Sequence, residues 1–196
     1  MQFPLQLRFK ILALGAKVAV HDATGNLVYY FKQKAFKLKE AVTVYADETQ
    51  TTVRYRIAAD RVLDISAKYH IEDSAGRPLA VLERHGMRSL WRAHYEIHRG
   101  GVPLFRLQEE TPWIKVLDGL VGQIPVVGML TGYLLHPTYV VTRATDETPV
   151  LRVIKQPAFF ESRYRVEQVE AALEPELVEL ALLGALMLLL LERDRG

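Results

Sequence analysis

The sequence predicts a mainly β fold: a closed antiparallel barrel of about twelve strands around a buried hydrophobic helix at the C-terminus. Three observations lead there. Four segments repeat one pattern of apolar–polar alternation, turn, and second alternation. The alternation leaves one face of each strand wet, which antiparallel sheets accept and buried parallel sheets do not. The last stretch, LVELALLGALMLLLLE from Leu177 to Glu192, is apolar on every helical face, so it belongs in a core or in a membrane.

The four repeats are VAVHDATGNLVYYFKQ from Val18, YHIEDSAGRPLAVLER from Tyr69, YEIHRGGVPLFRLQEE from Tyr95 and YVVTRATDETPVLRVIKQ from Tyr139. Their turns suit hairpins: Asp22 to Gly25, Asp73 to Gly76 and Gly100-Gly101 supply side-chain acceptors and glycines for positive φ. The fourth turn, Ala144 to Thr148, has no glycine. Period two assigns the faces. Tyr69 and Ile71 oppose His70 and Glu72; Tyr95 and Ile97 oppose His94, Glu96 and His98; Val53, Tyr55 and Ile57 oppose Arg54 and Arg56. Further strands fit Thr43–Asp47, Val62–Ser66, Ser89–Arg92 and Ser162–Val169. Ten to twelve antiparallel strands must stack as two sheets or close on themselves.

The terminal segment chooses between these. Pro175 suits a first helical position, Glu176 and Glu179 complement the positive end of the helix dipole, and Arg193 and Arg195 the negative end. The uninterrupted apolar run Leu180–Leu191 is twelve residues. A spanning helix wants about 20, whereas 10–14 is the length of a core helix. A tail anchor is the alternative. A helix apolar all round and about 10–12 Å across needs a container, and a sandwich would leave half of it wet. A barrel closed around a helix at about 175–193 satisfies both, as a single domain over residues 1–196.

Composition excludes other classes. Hydrophobic residues at 49% and charged residues at 24% are an ordinary globular balance. The net charge of +2 gives no reason to expect nucleic acid as a partner. There is no cysteine, so disulfides and thiolate metal sites are out, which fits a reducing compartment. The N-terminal apolar run Ile11 to Ala16 is shorter than the ~7–15 residues of a signal-peptide core. It reads as a strand and its turn, and the protein as cytoplasmic.

The repeated Y-x-I-x-D-x-x-G-x-x-L pattern, the segment GYLLHPTYVV from Gly132 and the final apolar helix resemble the LURP-one-related proteins, relatives of the tubby C-terminal domain and the phospholipid scramblases. The resemblance runs over nearly the whole chain. It implies a twelve-stranded barrel around a C-terminal hydrophobic helix. It also implies a link to phospholipids, since tubby domains bind phosphoinositide head groups through basic residues. No such site matches here residue by residue. Scramblase-like members carry an aspartate-rich calcium segment before the last helix. Here that region is RVEQVEAALEPELVE, whose acids are Glu167, Glu170, Glu174, Glu176 and Glu179, with no Asp-x-Asp-x-Asp-Gly loop.

No nucleophile elbow, Walker loop or dinucleotide fingerprint is present. GLVGQIPVVG at Gly119–Gly128 lacks a phosphate-loop lysine, and nothing pairs Asp64 with Asp73. His94 and His98 would join as metal ligands on a helix, but on a strand they stand about 13 Å apart. No enzyme, cofactor or metal is therefore expected. Two basic clusters remain. Lys32, Lys34, Lys37 and Lys39 lie in FKQKAFKLKE beside Phe31 and Phe36; Arg84, His85, Arg88 and Arg92 lie in ERHGMRSLWRAH. Cations beside aromatics can engage an anionic membrane surface; the plain alternative is a solvated strand face whose lysines discourage pairing. The apolar segment Thr111–Pro137 either caps the barrel or, through residues 113–135, offers a protein partner a patch. The expected function is a non-catalytic binding module for acidic phospholipid or phosphoinositide head groups, peripheral to a membrane. A protein-interaction or structural barrel and a tail-anchored protein are the alternatives.

Overall fold

The computed structural model describes residues 1–12, 15–33, 41–60, 68–85, 94–110, 138–158 and 161–193. The alternating segments form β1 (Leu5–Leu12), β2 (Gly15–His21), β3 (Leu27–Gln33), β4 (Ala41–Tyr45), β5 (Val53–Ala59), β6 (Lys68–Asp73), β7 (Pro78–His85), β8 (His94–Arg99), β9 (Val102–Glu109), β10 (Thr138–Arg143), β11 (Pro149–Gln156) and β12 (Ser162–Gln168). The one helix among the described residues, α1, runs Pro175–Arg193. Every strand pairs antiparallel with the next in sequence, and β1 pairs with β12, so the meander closes into a barrel. Closure leaves no open edge among these strands.

The period of two places the core. Leu5, Leu7 and Phe9 of β1 are buried while Gln6, Arg8 and Lys10 between them are exposed. Tyr69 and Ile71 of β6, and Tyr95 and Ile97 of β8, likewise point inward. Five hairpins share one device. The register shifts at Val20/His21, Val44/Tyr45, Ile71/Glu72, Ile97/His98 and Val141/Thr142, always close to the turn. A bulge there bends the ribbon and strengthens its twist, which favours closure. The β4–β5 hairpin is the member the sequence pattern did not group with the others. Its turn has no glycine, and Gln50 takes the left-handed conformation at φ 64°. Asp47 organises that turn by accepting hydrogen bonds from Thr51 N at 3.0 Å and Thr52 N at 2.8 Å. This is also why β4 ends at Tyr45, before the predicted Asp47. In the fourth predicted repeat Glu147 stands in for glycine at φ 60°.

Helix α1 threads the barrel. Thirteen of its residues are buried, from Val178 to Leu191. Gly184 lets it lie against β8 and β9: a Cβ there would come within 3.1 Å of Ile97 Cγ1 and 3.3 Å of Leu107 Cδ2. Two carboxylates fix its depth. Near its start, Glu179 accepts hydrogen bonds from Tyr29 Oη at 2.7 Å and Tyr55 Oη at 2.6 Å. Near its end, Glu192 accepts one from Tyr95 Oη at 2.9 Å. The helix therefore enters where the five hairpin turns lie, here called the turn end, and finishes at the opposite end. Among the described residues no helix is long and apolar enough to cross a membrane. The apolar terminal run is a core element, and the tail-anchor alternative gives way. The predicted strands Val62–Ser66 and Ser89–Arg92 lie outside the described residues.

Candidate functional site

The register of β12, β1, β2 and β3 assembles a face that no single stretch of sequence displays. On β1 and β2, Lys10 is directly opposite Lys17. On β2 and β3, Lys17 is directly opposite Lys32. On the next row Arg8 is directly opposite Arg163 of β12, and on the row after that Arg165 is opposite Gln6. Directly opposed residues in an antiparallel pair project from the same side. Since Leu7, Phe9 and Val18 fill the inside, Arg8, Lys10, Lys17, Lys32, Arg163 and Arg165 share the outside. The patch spans three strand spacings of about 4.8 Å, or roughly 14 Å, and about 13 Å along the strands.

The β1–β3 part of this wall is uncompensated among the described residues. The strands LQLRFKIL, GAKVAVH and LVYYFKQ contain no aspartate or glutamate. Arg8, Lys10 and Lys17 make no ion pair among the described residues. Lys32 donates to the neutral amide oxygen Oε1 of Gln50 at 2.8 Å. On β12 the compensation is local: Arg165 pairs with Glu167 at 3.0 Å and Arg163 reaches Glu161 at 3.8 Å.

Other faces differ. On β8 and β9, Glu96 meets His98 and Arg106, each at 3.2 Å, and Arg106 also meets Glu147 at 3.2 Å. Lys68 pairs with Glu83 at 2.7 Å, and Arg143 of β10 with Glu170. The turn end is acidic: Asp22, Asp47, Asp73 and Asp146 each accept backbone hydrogen bonds within their turns. Those bonds hold all four carboxyls below the usual carboxylate range, with the Thr24 hydroxyl leading at Asp22, the Thr49 hydroxyl at Asp47, and backbone N–H groups at Asp73 and Asp146. They are therefore charged at neutral pH.

A cleft of about 200 Å³ also opens at the turn end beside Glu179. Its polar lining is already engaged: Asp73 with Arg77 at 2.6 Å, Glu176 with Arg99 at 2.8 Å, Glu179 with the two phenols. Burial, then the Glu179 hydrogen bond, pushes the Tyr55 phenol up to about 12. The same causes raise Tyr29 further. These phenols act as neutral donors that position the helix. The five glutamates of the segment before and into α1 disperse: Glu167, Glu170 and Glu176 each face an arginine. Among the described residues, no three His, Asp or Glu side chains converge on a common point.

Of the residues singled out from sequence, Lys32 lies in the basic row. Arg84 lies on the face of β7 that carries inward Leu82, opposite Tyr95, and its Nε is buried with no hydrogen-bond partner among the described residues. The structure thus does not bring Arg84 together with Lys32. Lys34, Lys37, Lys39, Arg88 and Arg92 lie outside the described residues, as does the apolar segment 113–135. Sequence reasoning missed Arg8, Lys10, Lys17, Arg163 and Arg165. The outward positions could be read from alternation in LQLRFKIL and SRYRVEQ, but their convergence needs the β1–β12 closure. The LURP-one-related family model matches residues 27–167, from the start of β3 into β12. No curated protein and no solved structure matches the chain.

Proposed function

The chain belongs to the LURP-one-related family, and on that premise we propose that it is a non-catalytic binding module whose ligand is an anionic phospholipid at a membrane surface. One observation carries the reading: six outward cations on four adjacent strands, three of which contain no acid. Repulsion between directly opposed cations weakens a sheet, so an external anion gains what the fold loses by placing them together. Near an anionic leaflet each cation contributes about 1 kcal/mol, and the attraction falls off within a Debye length of roughly 10 Å at 0.1 M salt. Residues Arg8, Lys10 and Lys17 precede the matched region, so the family match covers only part of this wall.

Co-sedimentation with liposomes tests the proposal. Recovery should be high with vesicles containing phosphatidylserine, low with neutral phosphatidylcholine, and should fall steeply as salt is added. Lys17→Ala should weaken vesicle partition about fivefold, the equivalent of ~1 kcal/mol. Equal recovery with neutral and anionic vesicles at low salt would sink the reading.

A further inference from the structure

We propose that the basic wall docks the barrel on its side against an anionic bilayer, meeting several lipids at once, instead of enclosing one head group. The inference rests on the function proposed above and specifies how that site works.

Shape is the first argument. A pocket that selects one small ligand is concave, with polar groups converging on it. The wall is the outer surface of a closed barrel. Its interior is filled by α1, whose residues from Leu180 to Leu191 are all buried, and at Gly184 Ile97 and Leu107 leave too little room for a Cβ. Side chains on neighbouring strands of a convex wall diverge toward their tips. Lys10, Lys17 and Lys32 therefore reach separate anions.

Charge elsewhere is the second argument. Approach through the turn end would bring Asp22, Asp47 and Asp146 toward the lipid charge. The β8–β9 wall holds Arg106 in internal ion pairs with Glu96 and Glu147. A molecule whose β1–β3 cations are uncompensated among the described residues, and whose turn end is acidic, turns that wall toward a negative plane as it diffuses in. The barrel axis then lies along the membrane.

The chain has no cysteine, so single labels in the full-length protein report orientation cleanly. Gln6→Cys marks the wall, His70→Cys the far side on β6, Val102→Cys the turn end and Glu109→Cys the opposite end. Each carries an environment-sensitive fluorophore and is titrated with phosphatidylcholine vesicles containing a minority of phosphatidylserine. The expected result is a blue shift at the Gln6 position and none at the other three. A shift at Val102 or Glu109 equal to that at Gln6 overturns side-on docking. A second arm compares phosphatidylserine and phosphoinositide vesicles matched in surface charge, and adds soluble inositol trisphosphate as competitor. Recovery should be equal at matched charge, and the competitor should displace no more protein than salt of the same ionic strength. Displacement beyond that overturns the inference and leaves lipid binding standing, with a single head group as ligand. Failure to bind any anionic vesicle removes both.

Discussion

Stopping the chain after Glu174 removes α1 and the three residues that follow it, and the outcome follows from what the helix buries. Thirteen of its residues are buried; setting aside Ala181, Gly184 and Ala185, ten are valine, leucine or methionine. Full burial of such a side chain is worth about 1.5–3 kcal/mol, so the helix contributes on the order of 15–30 kcal/mol of transfer free energy. Net stabilities of domains are about 5–15 kcal/mol. The inner wall would also lose its cover over Leu7, Phe31, Ile97 and Leu107, all buried in the intact barrel. Collapse of the empty barrel cannot recover that area, because closure with twelve strands sets the diameter. The truncated chain should therefore be insoluble or, if refolded, lack the dispersed methyl and amide resonances of a packed protein. Full-length protein should be folded without detergent. Circular dichroism and a proton–nitrogen correlation spectrum of both chains decide it. A soluble, cooperatively unfolding fragment 1–174, alongside a full-length chain that needs detergent, would refute the buried-helix argument.

Three smaller perturbations probe the same core. Gly184→Leu should lower stability by about 1–3 kcal/mol through overpacking against Ile97 and Leu107, measured as a drop in urea midpoint, whereas Gly184→Ala recovers about 1 kcal/mol of helix propensity and should lose less. Tyr55→Phe leaves Glu179 with one phenolic donor, so it should cost about 1.5–3 kcal/mol at neutral pH; an unchanged melting temperature would show that the pair is not formed. The tyrosines also set an alkaline limit. Unfolded phenols ionise near 10, while Tyr55 in the barrel holds its proton to about 12. The unfolded state thus loses protons first, and stability, complete below pH 10, should decline between about pH 10 and 12. Urea titrations at pH 8 and pH 11 measure the loss, which should shrink in Tyr55→Phe.

The barrel was legible because its information is local. Alternation in KYHIED and HYEIHR states which side chains face inward, and Asp73 to Gly76 states where the chain turns. The helix was legible for the same reason: Pro175 starts it, and its apolar residues leave no wet face. Two kinds of information were hidden. Turns that reach positive φ without glycine, at Gln50 and Glu147, do not advertise themselves by composition. The basic wall depends on pairings far apart in the chain, above all Arg8 with Arg163. A scan for clustered lysines finds Lys32 and its sequence neighbours, and passes over Lys10 and Lys17, which become neighbours only through strand register. Arg84 shows the converse. Its proximity to other basic residues in sequence says nothing of its face, and the strand turns it toward the Leu82 side.

The wall also makes a prediction in which stability and binding move in opposite directions. Lys17 is flanked by Lys10 on one side and Lys32 on the other. Like charges directly opposite destabilise a sheet, and opposite charges contribute roughly 0.2–1 kcal/mol per pair. Lys17→Glu converts two repulsive pairs into two attractive ones. Lysine and glutamate are similarly disfavoured in strands, so the exchange isolates charge. The variant should gain about 1 kcal/mol, or roughly 2–4 °C in melting temperature for a chain of this size, and the gain should fade at high salt. The same substitution should abolish most recovery with anionic vesicles. A surface optimised for folding would already carry an acid at position 17. Holding a lysine there costs stability, which is intelligible where the cation serves a partner outside the fold. If Lys17→Glu proves less stable than the parent at low salt, the three lysines do not repel one another across the strands, and the case for an uncompensated wall falls with that result.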